Sequence, residues 1–399
     1  MKVKREKAKE LIFKECKKTA TEVIALNQAY GRVLAQNLYS PVDIPESDKS
    51  AIDGFAFKSS SIKELPAKLK IVGEVPAGKK ERMKVKEGEA VFVMTGGIIP
   101  EGADAAVRVE EVKVEGDTLI IDFPVEKGEL VNFKGSELRK GEKVLEKGEV
   151  LDYRKVGLLA NLGVVKVKVY QRVKVGIIAT GNEVLEPEEP FQEGTVKNSN
   201  FYILKGLLEK AGAEVVYLGK VEDNLKEIKE KIEEGFSSCQ LIATTGGVSK
   251  GKYDFVKEAA KLAGVEIEFT QTNIRPGRPL LFGKKEDKLF FGLPGYPAAM
   301  LVNALEFLVP SVRKMCGFRN FDNQYITAVA GENLKSRKGR VDFVRVNLKW
   351  EKGKVVALSA GSQQTSNYLT AALCQGFAII GEERGTVKEG EVVEVLLVS

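Results

Sequence analysis

The sequence predicts a multidomain chain: a central doubly wound α/β domain, an extended β-rich domain with a helical linker, and a C-terminal β-barrel. Three observations support this fold class. At 399 residues the chain is too long for a single compact core. Strand and helix patterns alternate from residue 172 to 318. The segments on either side contain short β-like runs separated by Gly, Pro, Asp and Asn.

In the first part of the chain, the residue pattern predicts a helix at each end of a β-rich segment. Ala8, Leu11, Ile12 and Cys16 are spaced to form one face of a helix. A second short helix is expected between residues 151 and 162, closed by a glycine. From about residue 23 the residues between these two helices form short β-like runs separated by turns.

The central and C-terminal parts differ in the order of their predicted helices and strands. From residue 172 to 318, unbroken Val, Ile and Leu runs such as VKVGIIATG alternate with helical segments, which is typical of a parallel sheet covered on both faces. A long helix from about Pro297 to Met315 closes this domain. Residues 319–399 contain only β-like runs such as RVDFVRVNLKW, enough for a small barrel.

Composition predicts an ordinary cytoplasmic globular protein. Hydrophobic residues make up 43% and charged residues 30%, and the net charge of +6 is spread along the chain. A nucleic-acid-binding protein would more often carry a basic stripe, so no nucleic-acid partner is predicted. The start, MKVKREKAKE, has no apolar segment of a signal peptide, and the apolar stretch Pro297–Pro310 is too short to span a bilayer, so no membrane partner is predicted.

The absence of histidine restricts the chemistry. Without histidine, Ser-His-Asp and Cys-His catalysis and imidazole-ligated metals are excluded. The four cysteines are far apart and form no C-x-x-C pair. Metal chemistry must then use oxygen ligands, which favours Mg²⁺ held by carboxylates and phosphates.

Glycine-rich motifs and acids follow the strands of the central domain. TGNE, TTGGVSKGKYD and GLPGYP stand where strands end, the edge at which open parallel sheets bind ligands. Each loop taken singly is explained by turn chemistry. Asp223 is explained as a helix N-cap and Asp254 by the helix dipole, whereas Glu183 has no comparable explanation. Together the three acids could bind Mg²⁺ or orient water.

Two further motifs have competing interpretations. NIRPGRP places Arg275 and Arg278 on a proline-stiffened loop, a fork suited to an oxyanion, although a solvated loop is the alternative. In SAIDGFAF, Asp53-Gly54 taken alone is typical of a tight hairpin turn, yet its flanks are not clearly paired strands.

These motifs, in this order, resemble the MoeA family, the molybdopterin molybdenumtransferases related to the E domain of gephyrin. The resemblance covers essentially the whole chain. It depends on SAIDGFAF, VMTGGIIPEGADAAVRVE, ATGNEV, KNSN, TTGGVSKGKYD, NIRPGRP, GLPGYPAAM and RVDFVRV. It implies four domains: a helix-containing linker at residues 1–22 and 141–171, an extended β-rich domain at 23–140, a pterin-binding α/β domain at 172–318 and a β-barrel at 319–399. It also implies a homodimer that shares its active site between subunits. The implied reaction cleaves adenylylated molybdopterin with Mg²⁺, transfers molybdate or tungstate to the dithiolene and releases AMP. The molybdopterin adenylyltransferase is a candidate partner.

The resemblance also implies roles for individual residues. The family's catalytic positions fall on Asp53, Thr95, Glu183, Asp223 and Asp254, and the last three would hold the metal. The substrate-binding positions are Gly246, Gly247, Ser249, Arg275, Arg278, Pro294, Pro297, Arg345, Thr365 and Ser366.

Several positions depart from the family pattern, among them Asn132, Glu137, Gln271 and Thr365. They leave the choice between molybdate and tungstate open. Two other functions stay open as well. One is molybdopterin adenylyltransferase, whose members share the α/β fold but are small single domains. The other is a scaffold that binds a partner peptide.

Overall fold

The chain folds into two units, each with its own hydrophobic clusters. A computed structural model describes residues 1–76, 78, 83–248 and 255–398. Unit 1 comprises Met1–Gln36, Lys147–Val156 and Lys166–Ser399, and unit 2 comprises Asn37–Glu146 and Gly157–Val165. The finer division into four domains stays a prediction.

Unit 1 contains the predicted α/β sheet, with seven strands. Neighbouring strands are parallel except Pro279–Lys285, which runs antiparallel to both of its neighbours. The order across the sheet is Lys2–Val3, Glu266–Thr272, Pro279–Lys285, Lys288–Leu293, Leu241–Thr245, Lys174–Thr180 and Glu214–Val221.

Helices cover both faces of this sheet. Successive residues of one strand point into different clusters, since Ile177 belongs to one buried cluster and Ile178 to another. The doubly wound arrangement is therefore confirmed. The helices that supply residues to these clusters are α1 (Arg5–Glu15), α3 (Ser199–Lys210), α4 (Leu225–Ser238), α5 (Val256–Leu262), α6 (Pro297–Asn303) and α7 (Val309–Met315). The described residues also form α2 (Tyr153–Asn161) and α8 (Tyr368–Leu373).

The predicted closing helix from Pro297 to Met315 is present, with a π-helical segment, Ala304–Leu308, between α6 and α7. This segment carries Glu306, which is fully buried. Its carboxylate lies 2.7 Å from Arg5 Nε and 3.1 Å from Lys9 Nζ. Among the described residues, no helix is both long and apolar enough to cross a membrane.

The N-terminal segment differs from the prediction in one respect. Before the expected helix α1, Lys2–Val3 forms a parallel strand at the edge of the seven-stranded sheet. A strand of two residues has no periodicity that a sequence pattern could reveal.

The C-terminal part of unit 1 is the predicted β-barrel. Its five strands close because Val341–Glu351 pairs with both Lys354–Ser359 and Gly376–Ile380. The short strand Ile274–Arg275 joins this sheet from the α/β part. The remaining barrel strands are Tyr325–Ala330 and Val392–Leu397, and two short strand pairs elsewhere in unit 1 are Thr21–Ala25 with Lys166–Tyr170 and Val184–Leu185 with Val196–Lys197.

Unit 2 is β-rich, as predicted. Its six-stranded sheet has the order Ala105–Arg108, Gly54–Phe57, Glu89–Val93, Ala67–Val75, Thr118–Ile121 and Lys113–Glu115. Two short pairs accompany it, Leu38–Tyr39 with Lys143–Leu145 and Lys49–Ser50 with Val131–Asn132.

The hairpin-turn interpretation of Asp53-Gly54 is wrong. Gly54 begins a strand that pairs on both sides, opposite Val93 and Arg108. A β-carbon at Gly54 would lie 1.9 Å from the carbonyl oxygen of Val107. The glycine is therefore required by close approach of backbone, not by a turn.

Candidate active site

Unit 1 contains a cavity of about 1240 Å³ at the carboxyl ends of its parallel strands. Thr180 and Thr245, the last residues of two neighbouring strands, line it together with Pro294, which follows a third. This is the edge at which open α/β sheets bind ligands. The cavity is larger than the ~300–1,000 Å³ of common small-molecule sites.

Predicted residues from several distant motifs line this cavity, as expected for residues that act together. They are Glu183, Gly246, Gly247, Arg275, Arg278, Pro294, Pro297, Thr365 and Ser366.

The RPGRP loop is held firmly against α6. Asn303, which is fully buried, donates from Nδ2 to the carbonyl oxygen of Pro279 at 3.0 Å. Gly277 has φ +107°, and a β-carbon there would lie 3.1 Å from Asn303 Oδ1, so glycine is needed for this close packing. Arg275 and Arg278 are exposed on this loop. Among the described residues, neither guanidinium forms an ion pair, so both are available to an anion.

Arg340 is a cavity residue that the sequence analysis missed. It directly precedes the strand Val341–Glu351 and forms an ion pair with the buried Asp342, Nε to Oδ1, at 2.9 Å. Pairing of Ile274 and Arg275 with Val341 and Asp342 brings this arginine to the RPGRP loop. The motif RVDFVRV contains both Arg340 and Arg345, and only the fold distinguishes them.

Arg345 does not line the cavity and takes a different place from the predicted one. It is 1% exposed, and its guanidinium donates to the carbonyl oxygens of Gln364 at 3.0 Å and Asn367 at 3.5 Å. Burial and the nearby charge of Arg275 lower its pKa. Its contacts support the loop that carries Thr365 and Ser366.

In the glycine loop after Leu241–Thr245, one backbone amide is already used within the protein. The N–H of Gly246 donates to the carbonyl oxygen of Leu293 at 2.9 Å and is not available to a phosphate. Ser249 and Asp254 lie outside the described residues.

The acidic residues are only partly described. Glu183 is exposed and lines the cavity. Asp223 is half-buried outside the lining, and its N–H donates to Asn182 Oδ1 at 2.9 Å, which connects its loop to the one that carries Glu183. The N-cap interpretation of Asp223 is wrong, because Asn224 caps α4 by accepting from the N–H groups of Lys226 and Glu227. Within the described ranges no group of three or more acidic, cysteine or histidine side chains could hold a metal.

The charge of the cavity wall is strongly positive. Among the described lining residues, five are cationic and one, Glu183, is acidic; the cations are Lys2, Lys197, Arg275, Arg278 and Arg340. A concave surface with such an excess of one sign concentrates anions.

Asp53 and Thr95 form a separate group within unit 2. Asp53 Oδ1 accepts a hydrogen bond from the N–H of Thr95 at 2.7 Å, and both residues are exposed. Thr95 lines a smaller cavity of about 310 Å³, which Asn132 and Glu137 line as well.

Comparison with known proteins identifies the family. Three family models match: the MoeA N-terminal region (domain I and II) at residues 3–163, a "probable molybdopterin binding domain" at 176–314 and the MoeA C-terminal region (domain IV) at 327–398. The molybdopterin molybdenumtransferase of Haemophilus influenzae is 34% identical over 383 residues, which cover 94% of each chain. The chain belongs to the MoeA family.

Other members agree with this assignment. The molybdopterin molybdenumtransferase of a Nostoc species is 30% identical, over 94% of this chain and 88% of that protein. The crystal structure of the molybdopterin biosynthesis MoeA protein from Pyrococcus horikoshii OT3 matches with a TM-score of 0.87 and 31% identity, over 100% of both chains. The predicted family, fold class and enzyme class, a MoeA-type transferase, are confirmed.

Proposed function

We propose that this MoeA-family chain inserts molybdate into adenylylated molybdopterin and releases AMP. The observation that carries this proposal is the cavity of unit 1, where the described lining residues include five cations and one carboxylate at the ends of the parallel strands. Both substrates are anionic, a tetrahedral metal oxyanion and a pterin joined to a nucleotide by phosphates. A cationic cavity of this size suits their simultaneous binding.

The arginines of the cavity bind the metal oxyanion. Arg275, Arg278 and Arg340 bind molybdate, or tungstate, through charge-assisted hydrogen bonds, with hydroxyl groups from Thr365 and Ser366. Arg345 acts through the loop it supports. Gly246, Gly247, Ser249, Pro294 and Pro297 contact the pterin nucleotide.

Mg²⁺ is part of the proposal, held by Glu183, Asp223 and Asp254. The described members of this set fit a hard cation, since both offer carboxylate oxygens on loops that a hydrogen bond connects. When bound, Mg²⁺ neutralises the phosphate charge that builds up as the pyrophosphate bond breaks. The chain's own residues orient the pterin nucleotide and hold the oxyanion beside it.

The second group, Asp53 and Thr95, completes the site from another subunit. The proposal is a homodimer in which unit 2 of one subunit contributes these residues to the cavity of its partner. The Asp53 carboxylate is exposed. One of its oxygens accepts a hydrogen bond from the N–H of Thr95, and its other oxygen is left to bind a substrate. A molybdopterin adenylyltransferase would supply the substrate. The four cysteines are unpaired and buried, which agrees with the cytoplasmic location that forms part of this proposal.

Release of AMP tests the reaction. The protein is incubated with adenylylated molybdopterin and Mg²⁺, with and without molybdate, and AMP is measured by chromatography. Molybdate-dependent AMP release is expected. Formation of the adenylate from molybdopterin and ATP, without molybdate-dependent AMP release, would instead identify an adenylyltransferase, and inactivity in both assays would favour a scaffold.

A further inference from the structure

Three large aromatic side chains line the cavity and yet remain exposed. Phe191 is 80% exposed, Tyr296 61% and Tyr368 43%. Elsewhere in unit 1 some aromatic rings, such as Phe282 and Phe291, are fully buried and others, such as Trp350, are exposed outside the cavity. Exposed apolar surface gathered inside a cavity is typical of a ligand site. We call Phe191, Tyr296 and Tyr368 the aromatic rim.

The segment that carries Phe191 is anchored at its base. The carboxylate of Glu186 accepts hydrogen bonds from the hydroxyl of Tyr217 and from Asn198 Nδ2, the latter at 3.2 Å. Burial and the Glu186 carboxylate raise the pKa of Tyr217, so its hydroxyl stays protonated and keeps donating. Lys197 Nζ donates to the carbonyl oxygen of Glu186 at 3.1 Å and lies 4.7 Å from the centroid of the Phe191 ring. The ring is therefore held at one face by a cation.

The other two rings stand on fixed helix starts. The carbonyl oxygen of Tyr296 accepts from the N–H of Met300 at 2.9 Å, and the preceding Gly295 carbonyl accepts from Asn200 Nδ2 at 2.8 Å. Tyr368 is the first residue of α8, which Asn367 caps by accepting from the N–H of Thr370 at 3.0 Å. All three rings are thus presented to the cavity by backbone that is already ordered, so little ordering is needed when a ligand binds.

We infer that the aromatic rim stacks on a planar heteroaromatic ring of a phosphate-bearing ligand. Aromatic surface alone would suit any apolar molecule, but these rings share their cavity with Arg275, Arg278 and Arg340. A planar ring joined to phosphate matches both properties. The inference rests on the proposed function and names the groups recognised: the adenine ring or the pterin ring of the substrate.

Binding measurements with simple probes test the rim. Calorimetric titrations of the full chain use AMP, ribose 5-phosphate, which lacks the ring, and pterin-6-carboxylate. The variants are Phe191→Ala, Tyr296→Ala and Tyr368→Ala, with Tyr296→Phe as the conservative change. Trp350→Ala is the matched control, because this ring is 79% exposed outside the cavity lining. All these side chains are exposed, so the variants are expected to fold.

Loss of a stacking ring should weaken the ring-bearing probe about 5- to 150-fold, which corresponds to ~1–3 kcal/mol per stacked base. Ribose 5-phosphate binding should change less than about twofold, well below the ~1.4 kcal/mol of a tenfold change. Tyr296→Phe and Trp350→Ala should behave as the unmodified chain.

Each outcome has a definite meaning. Weaker binding of AMP assigns the rim to adenine, and weaker binding of pterin-6-carboxylate assigns it to the pterin, so either supports the inference. Equal losses for AMP and ribose 5-phosphate, unchanged binding in every variant, or no binding of either ring by the unmodified chain would overturn it. Ring-dependent binding without molybdate-dependent AMP release would overturn the proposed function and leave the rim in place.

Discussion

Replacing Arg345 with methionine tests whether this arginine supports the loop that carries Thr365 and Ser366 or binds the oxyanion itself. Methionine keeps much of the buried volume and removes the guanidinium. The hydrogen bond to Gln364 at 3.0 Å is charge-assisted, worth ~1.5–3 kcal/mol. The contact with Asn367, at 3.5 Å, is at the limit of a hydrogen bond and adds little.

Part of this loss is offset. Burial and the charge of Arg275 lower the pKa of Arg345, which means that both disfavour its charged form, and methionine removes that cost. We therefore expect Arg345→Met to reduce the free energy of unfolding by about 1–2 kcal/mol. In a unit of this size that corresponds to a melting temperature lower by about 2–4 °C.

Arg278→Met is the comparison. Its side chain is exposed at the cavity, so the free energy of unfolding should change by less than ~0.5 kcal/mol. Its molybdate affinity should fall by ~1.5–3 kcal/mol, or about 10- to 150-fold, whereas AMP binding should change less because other cations remain.

Thermal unfolding and calorimetric titration with molybdate measure both effects. If Arg345→Met keeps its melting temperature and loses as much molybdate affinity as Arg278→Met, then Arg345 is itself a ligand and its supporting role is wrong. Full molybdate affinity in Arg278→Met would move the oxyanion site away from the RPGRP loop.

Other perturbations test separate parts of the reasoning. Glu183→Gln should lower molybdate-dependent AMP release by about 100-fold or more with an unchanged melting temperature, and near-normal turnover would remove this acid from the machinery. Mixing inactive Asp53→Asn and Glu183→Gln chains should restore activity, up to one intact site per heterodimer; a mixture that stays inactive after verified subunit exchange contradicts a shared site. Glu306→Gln should destabilise the chain by ~3 kcal/mol because it removes the buried carboxylate that pairs with Arg5 and Lys9, of which Lys9 keeps Asp322; Glu10→Gln, in an exposed pair, should cost less than ~0.5 kcal/mol, and equal urea midpoints would refute this difference. Burial raises the pKa of Cys16 to about 11, so only about 0.1% is thiolate at pH 8. Alkylation should be slow until denaturation, and rapid labelling of the native chain would contradict the burial.

Local patterns predicted the fold well because they depend on neighbours in the chain. The apolar run Lys174–Thr180 has the composition of a strand buried on both faces. Its side chains indeed pack into two different hydrophobic clusters, one on each face of the sheet. Helix α1 follows from the spacing of Ala8 and Ile12. Two local interpretations were wrong. Gly54 pairs within a strand and does not form a hairpin turn, and Asn224, not Asp223, caps helix α4.

The sequence by itself determined which chemistry is excluded and where ligands can bind. A chain without histidine must use carboxylates, arginines and backbone amides, and its glycine-rich motifs stand at strand ends whatever the details of packing. Only the tertiary structure decided which arginine of the RVDFVRV motif faces the cavity. Arg340 lies there and Arg345 does not, because the pairing of Ile274–Arg275 with Val341–Asp342 and the closure of the barrel turn one toward the loop and bury the other. Those pairings join segments far apart in the chain, and no local pattern specifies the direction in which a side chain will point once they form.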